Sequence, residues 1–162
     1  MSQLKVDSIV PRGGLPSGAS GGVIQTVTNV STTTHQQVNG TNTWTDVDPT
    51  CSITMQGSSN KVKIDVGAAS STEWVGGTGY RLLRGSTVVV NMAGYTWNNT
   101  RWQIHACPII GIIDTPGAGT HTYKVQIRCS RNSNFYWNMN QASNLGNYSA
   151  QHCSMTLQEI TV

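Results

Sequence analysis

Hydrophobic residues that recur at every second position constrain this chain more than any other feature. In Asn60-Lys61-Val62-Lys63-Ile64-Asp65-Val66, apolar Val62, Ile64 and Val66 alternate with charged Lys61, Lys63 and Asp65. Tyr123-Lys124-Val125-Gln126-Ile127-Arg128-Cys129 repeats the pattern, with Tyr123, Val125, Ile127 and Cys129 on one side. Successive side chains of a strand point to opposite faces, so both segments read as antiparallel strands with one buried and one wet face. Nowhere does an apolar i, i+3, i+4, i+7 pattern persist for three turns, so no helix is expected.

Weaker strands are expected over Val23 to Val27, Cys51 to Met55, Tyr80 to Arg84 and Thr87 to Met92. Trp102 to Ile113, Phe135 to Met139 and Ser154 to Ile160 complete the set. Turn chemistry separates them at Gly57-Ser58-Ser59-Asn60, Arg84-Gly85-Ser86, Thr115-Pro116-Gly117 and Arg131-Asn132-Ser133-Asn134. Short strands at regular spacing define an all-β, antiparallel β-sandwich or barrel.

Composition agrees. Only 10% of the residues are charged, about half the usual share, yet 37% are hydrophobic and the net charge is +3. Disorder requires the opposite combination. The 162 residues are enough for one domain with its own core. The sequence pI of 8.8 raises the question of nucleic acid. However, the ten Lys and Arg are scattered from Lys5 to Arg131 with no two adjacent, so no phosphate-binding stripe and no nucleic-acid partner is expected. The longest apolar stretch, Ile109-Ile110-Gly111-Ile112-Ile113, is too short to span a bilayer. The first residues carry no apolar segment of signal-peptide length, so folding in a cytoplasm is expected. There Cys51, Cys107, Cys129 and Cys153 read as small buried hydrophobes, not as a disulfide framework.

Two units are expected: an arm with its linker over residues 1–22, and a β-sandwich head over 23–162. The Gly/Ser/Pro-rich run from Pro11 to Gly22 cannot pack a core, and the short alternating piece before it has no local partner. Leu4, Val6, Ile9, Val10 and Pro11 are therefore candidate anchoring residues toward a neighbouring subunit.

Titratable residues are scarce for catalysis: seven Asp and Glu, and four His. Asp46 and Asp48 lie on one side of an extended segment and invite Ca2+, but nothing nearby completes six oxygen ligands. A turn entering a strand through Pro49 explains the pair as well. His105 with Cys107, and His152 with Cys153, lack zinc spacing and any framed nucleophile motif. Asp114-Thr115-Pro116-Gly117 reads as a capped turn. The expectation is no catalytic residue, no metal and no cofactor. Aromatic residues are the better candidates for contact. Tyr95, Trp97 and Arg101 cluster around Asn98-Asn99-Thr100, and Tyr136 lies in a second Asn-rich stretch between Phe135 and Trp137. Tyr95, Trp97, Arg101 and Tyr136 are assigned to ligand or receptor contact on a glycan, while Phe135 and Trp137 are expected to pack inside.

Several pieces carry a resemblance. Leu4-Lys5-Val6-Asp7-Ser8-Ile9-Val10-Pro11 with the following linker resembles the start of fibre-like and appendage proteins of marine tailed phages. Gly57-Ser58-Ser59-Asn60-Lys61-Val62-Lys63-Ile64 and Arg81-Leu82-Leu83-Arg84-Gly85-Ser86-Thr87 resemble their jelly-roll tip domain. So do Ile113-Asp114-Thr115-Pro116-Gly117, Thr122-Tyr123-Lys124-Val125-Gln126 and Ser154-Met155-Thr156-Leu157-Gln158-Glu159-Ile160. That domain is similar in architecture to the trimeric heads of tumour-necrosis-factor and complement type. The resemblance implies a jelly roll, a homotrimer and a place in the virion beside other virion proteins. It implies a non-enzymatic tail-fibre or appendage tip that is assembled in the host cytoplasm and contacts host surface glycan. A shaft is missing from the pattern, which opens the alternative of a capsid decoration protein.

Overall fold

The computed structural model describes residues 22–33, 35–37, 42–72, 76–96, 103–129, 135–138 and 152–161. Twelve strands run through them: β1 Val23–Ser31, β2 His35–Gln37, β3 Thr45–Met55, β4 Lys61–Gly67, β5 Ala69–Thr72 and β6 Gly76–Arg84. They continue as β7 Thr87–Thr96, β8 Gln103–Ala106, β9 Ile112–Asp114, β10 Gly119–Cys129, β11 Phe135–Trp137 and β12 Cys153–Ile160. The described residues contain no helix, and every strand pairing is antiparallel.

Two four-stranded sheets, β1-β12-β4-β9 and β3-β10-β6-β7, make the sandwich. When only their eight strands are numbered in chain order, the sheets run 1-8-3-6 and 2-7-4-5. That is the double Greek-key order of a jelly roll. The third sheet, β2-β11-β5-β8, has the same order as the first, each of its strands adjoining in the chain a strand of that sheet. Together they form one long layer.

The alternation in the sequence becomes the core. Inner residues Val62, Ile64 and Val66 of β4 and Met155 and Leu157 of β12 pack into one buried cluster with Ile53 of β3, Leu82 of β6 and Tyr123, Val125 and Ile127 of β10. Each such side chain contributes about 1.5–3 kcal/mol by leaving water. Phe135 and Trp137 are fully buried, as expected of them. Tyr80 meets the Phe135 ring edge-on at a centroid distance of 5.4 Å, and its hydroxyl lies 2.8 Å from Ser70 Oγ.

Three expectations are corrected. The single strand expected from Trp102 to Ile113 is two strands separated by residues 107–111. Pro108 has no N–H to give and Gly111 takes φ +68°, while Cys107 N–Ala68 O and Val66 N–Ile109 O bonds keep this stretch against β4 and β5. β3 begins at Thr45, so Asp46 and Asp48 lie within the strand and not in a turn before it. Pro49 sits where the β3–β10 register shifts, between the pairs Val47–Val125 and Cys51–Tyr123, a place that needs no ladder donor. β5 went unseen because Ala69-Ser70-Ser71-Thr72 offers no apolar alternation, although Ser70 and Ser71 are wholly buried. The Arg131 to Asn134 turn, residues 1–21 and the tail of the Phe135 to Met139 segment lie outside the described residues.

One carboxylate closes an end of the sandwich. Glu159 of β12 is completely buried and has no cation within ion-pair distance among the described residues. Its Oε1 accepts from Gln56 N at 2.8 Å, Gly57 N at 3.1 Å and Asn60 Nδ2 at 2.6 Å, and its Oε2 accepts from Gln25 Nε2 at 2.5 Å. Glu159 thereby caps the β3–β4 turn and ties it to β1. Burial alone would raise its pKa, but donation from Asn60, Gln25, Gln56 and Gly57 prevails and holds it below the ordinary 4.5. A lowered folded pKa stabilises the fold above pH 4.5, and that stability disappears as the pH falls through the folded value. Glu159→Gln should cost about 1–3 kcal/mol at neutral pH. Urea titrations of both proteins should show this gap narrowing as the buffer is taken below pH 4.5.

Candidate functional site

The outer face of the β3-β10-β6-β7 sheet carries the densest polar cluster among the described residues. Strand alternation puts Asp46 of β3, Lys124, Gln126 and Arg128 of β10, and Arg81 of β6 on this face, opposite the core residues Val47, Val125, Ile127 and Leu82. The ladder sets Gln126 between Asp46 and Arg81. Lys124 Nζ donates to Asp46 Oδ2 at 2.8 Å, Gln126 Nε2 donates to Asp46 Oδ1, and Arg81 Nε donates to Gln126 Oε1 at 2.6 Å. The Lys124 ammonium, hydrogen-bonded to Asp46, keeps that carboxyl below the usual range, with help from Gln126 and Arg81.

Trp44, just before β3, completes the cluster. Its ring lies over Gly79 of β6, where an added Cβ would come within 2.8 Å of the indole. Glycine at 79 is what lets the ring lie flat on the sheet. Arg81 Cζ sits 4.4 Å and Arg128 Cζ 4.9 Å from the Trp44 ring centroid. Each stack contributes about 0.5–1 kcal/mol at an exposed site and holds a guanidinium in a fixed plane. Neither arginine has a carboxylate within ion-pair distance among the described residues, whereas Lys63, Arg84 and Lys124 each have one.

A second constellation joins the two main sheets. Asp114 of β9 caps Thr115 N at 2.8 Å, as the turn reading required. Its Oδ2 also accepts from Arg84 Nη1 at 2.7 Å and from the Tyr123 hydroxyl at 2.8 Å. Burial, and then the Asp114 carboxylate, push the phenol of Tyr123 far up. It is a fixed donor, not an acid, and the trio is a structural clasp.

The sequence-derived candidates fare unevenly. Tyr136, on the opposite face of β11 from Phe135 and Trp137, is only 3% exposed, so its assignment to surface contact is corrected. Trp97 and Arg101 lie outside the described residues, as do Leu4, Val6, Ile9, Val10 and Pro11. For Tyr95 only the backbone, in β7, is described. The two oxygens of Asp46 are engaged by Lys124 and Gln126, while Asp48 Oδ2 lies 3.4 Å from Ser31 Oγ. Among the described residues no three His, Cys, Asp or Glu side chains gather as metal ligands do. Cys51, Cys107, Cys129 and Cys153 are all buried, and none forms a disulfide. Burial pushes the Cys107 thiol up to about 12 and raises Cys51 and Cys153 as well, which removes the thiolate that a nucleophile needs. His152 is exposed while its neighbour Cys153 points inward to the carbonyls of Ser31 and Asp48.

Sequence reasoning missed the Trp44 cluster. The signal lay in the period-two spacing of Lys124, Gln126 and Arg128, but the cross-strand partners Arg81 and Trp44 needed the register. No family model matches this chain, and no curated protein matches it. Among solved structures it is similar to chains of infectious bursal disease virus, in its Gx and Gt strains. The Gx chain matches over 85% of this chain and 37% of its own length, at 11% identity and a TM-score of 0.38. The Gt chain matches over 98% and 41%, at 11% identity and a TM-score of 0.35. This chain thus spans less than half the length of either, and overlaps this distant say nothing about function.

Removing the Tyr123 hydroxyl should leave the Asp114–Arg84 pair intact but forfeit one charge-assisted bond. Tyr123→Phe should lower the unfolding free energy by about 1.5–3 kcal/mol in a chemical denaturation series, with the m-value unchanged. EDTA should leave the melting temperature of the unmodified protein where it was, measured by differential scanning calorimetry.

Proposed function

We propose that this chain is a non-enzymatic structural protein of a tailed-phage virion, a homotrimeric appendage tip or adapter. In this reading residues 1–22 bind another virion protein and the jelly roll turns its loops toward host surface glycan. The fold is of a kind that serves in viral shells and in lectins. The polar constellations within the described residues are clasps and caps, with no nucleophile–base pair among them.

One observation favours a closed ring of subunits. Among the described residues, five of the six exposed large hydrophobics lie at two strands: Val23, Ile24 and Val30 on β1, Ile113 on β9 and Ile110 just before it. Those strands are the two opposite edges of one sheet. A subunit with an apolar patch at each of two unlike edges can offer one to each neighbour. Such heterologous contacts close into a cyclic oligomer when the rotation between neighbours divides a full turn, as a trimer's does. A trimer would also multiply weak sugar contacts, among them those of Tyr95, Trp97 and Arg101, through avidity.

Light scattering on the purified chain should give three times its 17.4 kDa. Ile113→Lys should reduce this to the monomer, and a mass unaffected by that change would remove the edge-packing reading. Deleting residues 1–21 keeps Gly22, whose backbone pairs with Thr161. The truncated protein should remain trimeric but fail to enter particles. Tracing the chain in a cryo-electron microscopy map of the particle separates tail from capsid: density on the capsid lattice would make this a decoration protein instead.

A further inference from the structure

We infer that the Trp44–Arg81–Arg128 cluster is a binding site for an acidic glycan, one that carries carboxylate or sulfate groups. The inference deepens the glycan-contact reading above and moves it from the aromatic loops to the sheet face. Two guanidinium groups stand against one indole, at 4.4 and 4.9 Å from its centroid, and neither has a carboxylate within ion-pair distance among the described residues. Arg128 donates no hydrogen bond to any described residue, and Arg81 uses only its Nε, toward Gln126. No described residue takes their terminal nitrogens, and a guanidinium fork engages planar or tetrahedral oxyanions with two parallel bonds.

The surroundings select the class of ligand. β10 and β6 are inner strands, paired on both sides, so this face offers no free backbone edge to an extended peptide. Recognition falls to side chains alone: an indole, two guanidiniums, and the amide, ammonium and carboxylate of Gln126, Lys124 and Asp46. Farther along the same face the hydroxyl pairs Ser52–Thr122 and Thr54–Thr120, at 2.7 and 2.8 Å, extend a hydroxyl-rich floor that suits a sugar chain. A nucleic acid would meet only three cations here, one of them already held by Asp46, which is too few for a phosphate backbone. A second copy of this chain is no better suited. Of the carboxylates described, Asp46, Asp65 and Asp114 are ion-paired, Glu159 is buried, and Asp48 is half-buried.

The test immobilises polygalacturonate, dextran sulfate, neutral dextran, poly-glutamate and duplex DNA, and measures binding of the full chain by interferometry. Polygalacturonate or dextran sulfate should bind, which also tells carboxylate from sulfate, while neutral dextran should not. Arg81→Gln with Arg128→Gln should weaken that binding at least tenfold while the oligomeric mass stays the same and the melting temperature falls by only a few degrees, as the loss of two exposed ring stacks requires. Should the double variant fail to fold, Arg128→Gln alone carries the test, because that side chain makes no hydrogen bond with a described residue. Arg128→Lys, which keeps the charge but not the fork, should restore binding only partly. Equal binding to poly-glutamate or DNA, or none to either acidic polysaccharide, would overturn the site. The mass and particle-incorporation measurements above do not depend on it, so the virion reading can stand if this one fails.

Discussion

The insertion of β12 between β1 and β4 is the pairing on which the rest of this structure depends. It joins segments more than 120 residues apart, as in the Thr28–Thr156 hydroxyl contact, and it completes the layer that the opposite sheet packs upon. Without it β1 has no ladder at all and Val62, Ile64 and Leu157 lose the wall they share. Glu159 makes the insertion specific. A strand shifted by one residue would turn its inner set outward and carry this carboxylate away from the four donors that close on it, Gln25 Nε2, Gln56 N, Gly57 N and Asn60 Nδ2. Polar satisfaction here fixes the register, while apolar burial supplies most of the energy.

The two sheets differ in what they show to solvent. The β1-β12-β4-β9 sheet presents hydroxyls, amides and the Lys61, Lys63 and Asp65 row of β4, with apolar Ile113 on the edge strand beside Lys63. The β3-β10-β6-β7 sheet presents the charged network around Trp44. Two sides of one sandwich are thus chemically unlike. The Asp114–Arg84–Tyr123 clasp joins the sheets between those surfaces, so neither surface has to supply the joint itself.

Strands whose inner residues are apolar were legible without coordinates. Val62 to Val66 and Tyr123 to Cys129 declared themselves by alternation, and the Gly85-Ser86 turn marked the β6–β7 hairpin, where Gly85 takes φ +58°. β5 was not legible, since it is buried through serines and an alanine rather than through large hydrophobes. Tyr136 misled because an Asn-rich context resembles an exposed loop, whereas β11 lies between β2 and β5 and is buried on both faces. Asp46 and Asp48 were read correctly as sharing a side, but the meaning of Asp46 came from Lys124 and Gln126 on another strand. The Trp44 cluster lay beyond reach for the same reason. Its members come from three strands, and only register brings residues 44, 81 and 128 together.

Four thiols without a single disulfide have a consequence for endurance. Cys51, Cys107, Cys129 and Cys153 sit inside the sandwich, and burial holds the first, second and fourth in the protonated form. Thiol exchange and oxidation start from an accessible thiolate, and this fold exposes none from these residues. Its stability draws nothing from a bridge that reduction could break, and its thiols offer little to an oxidant. A chain built this way can pass from a reducing to an oxidising milieu without changing a covalent bond.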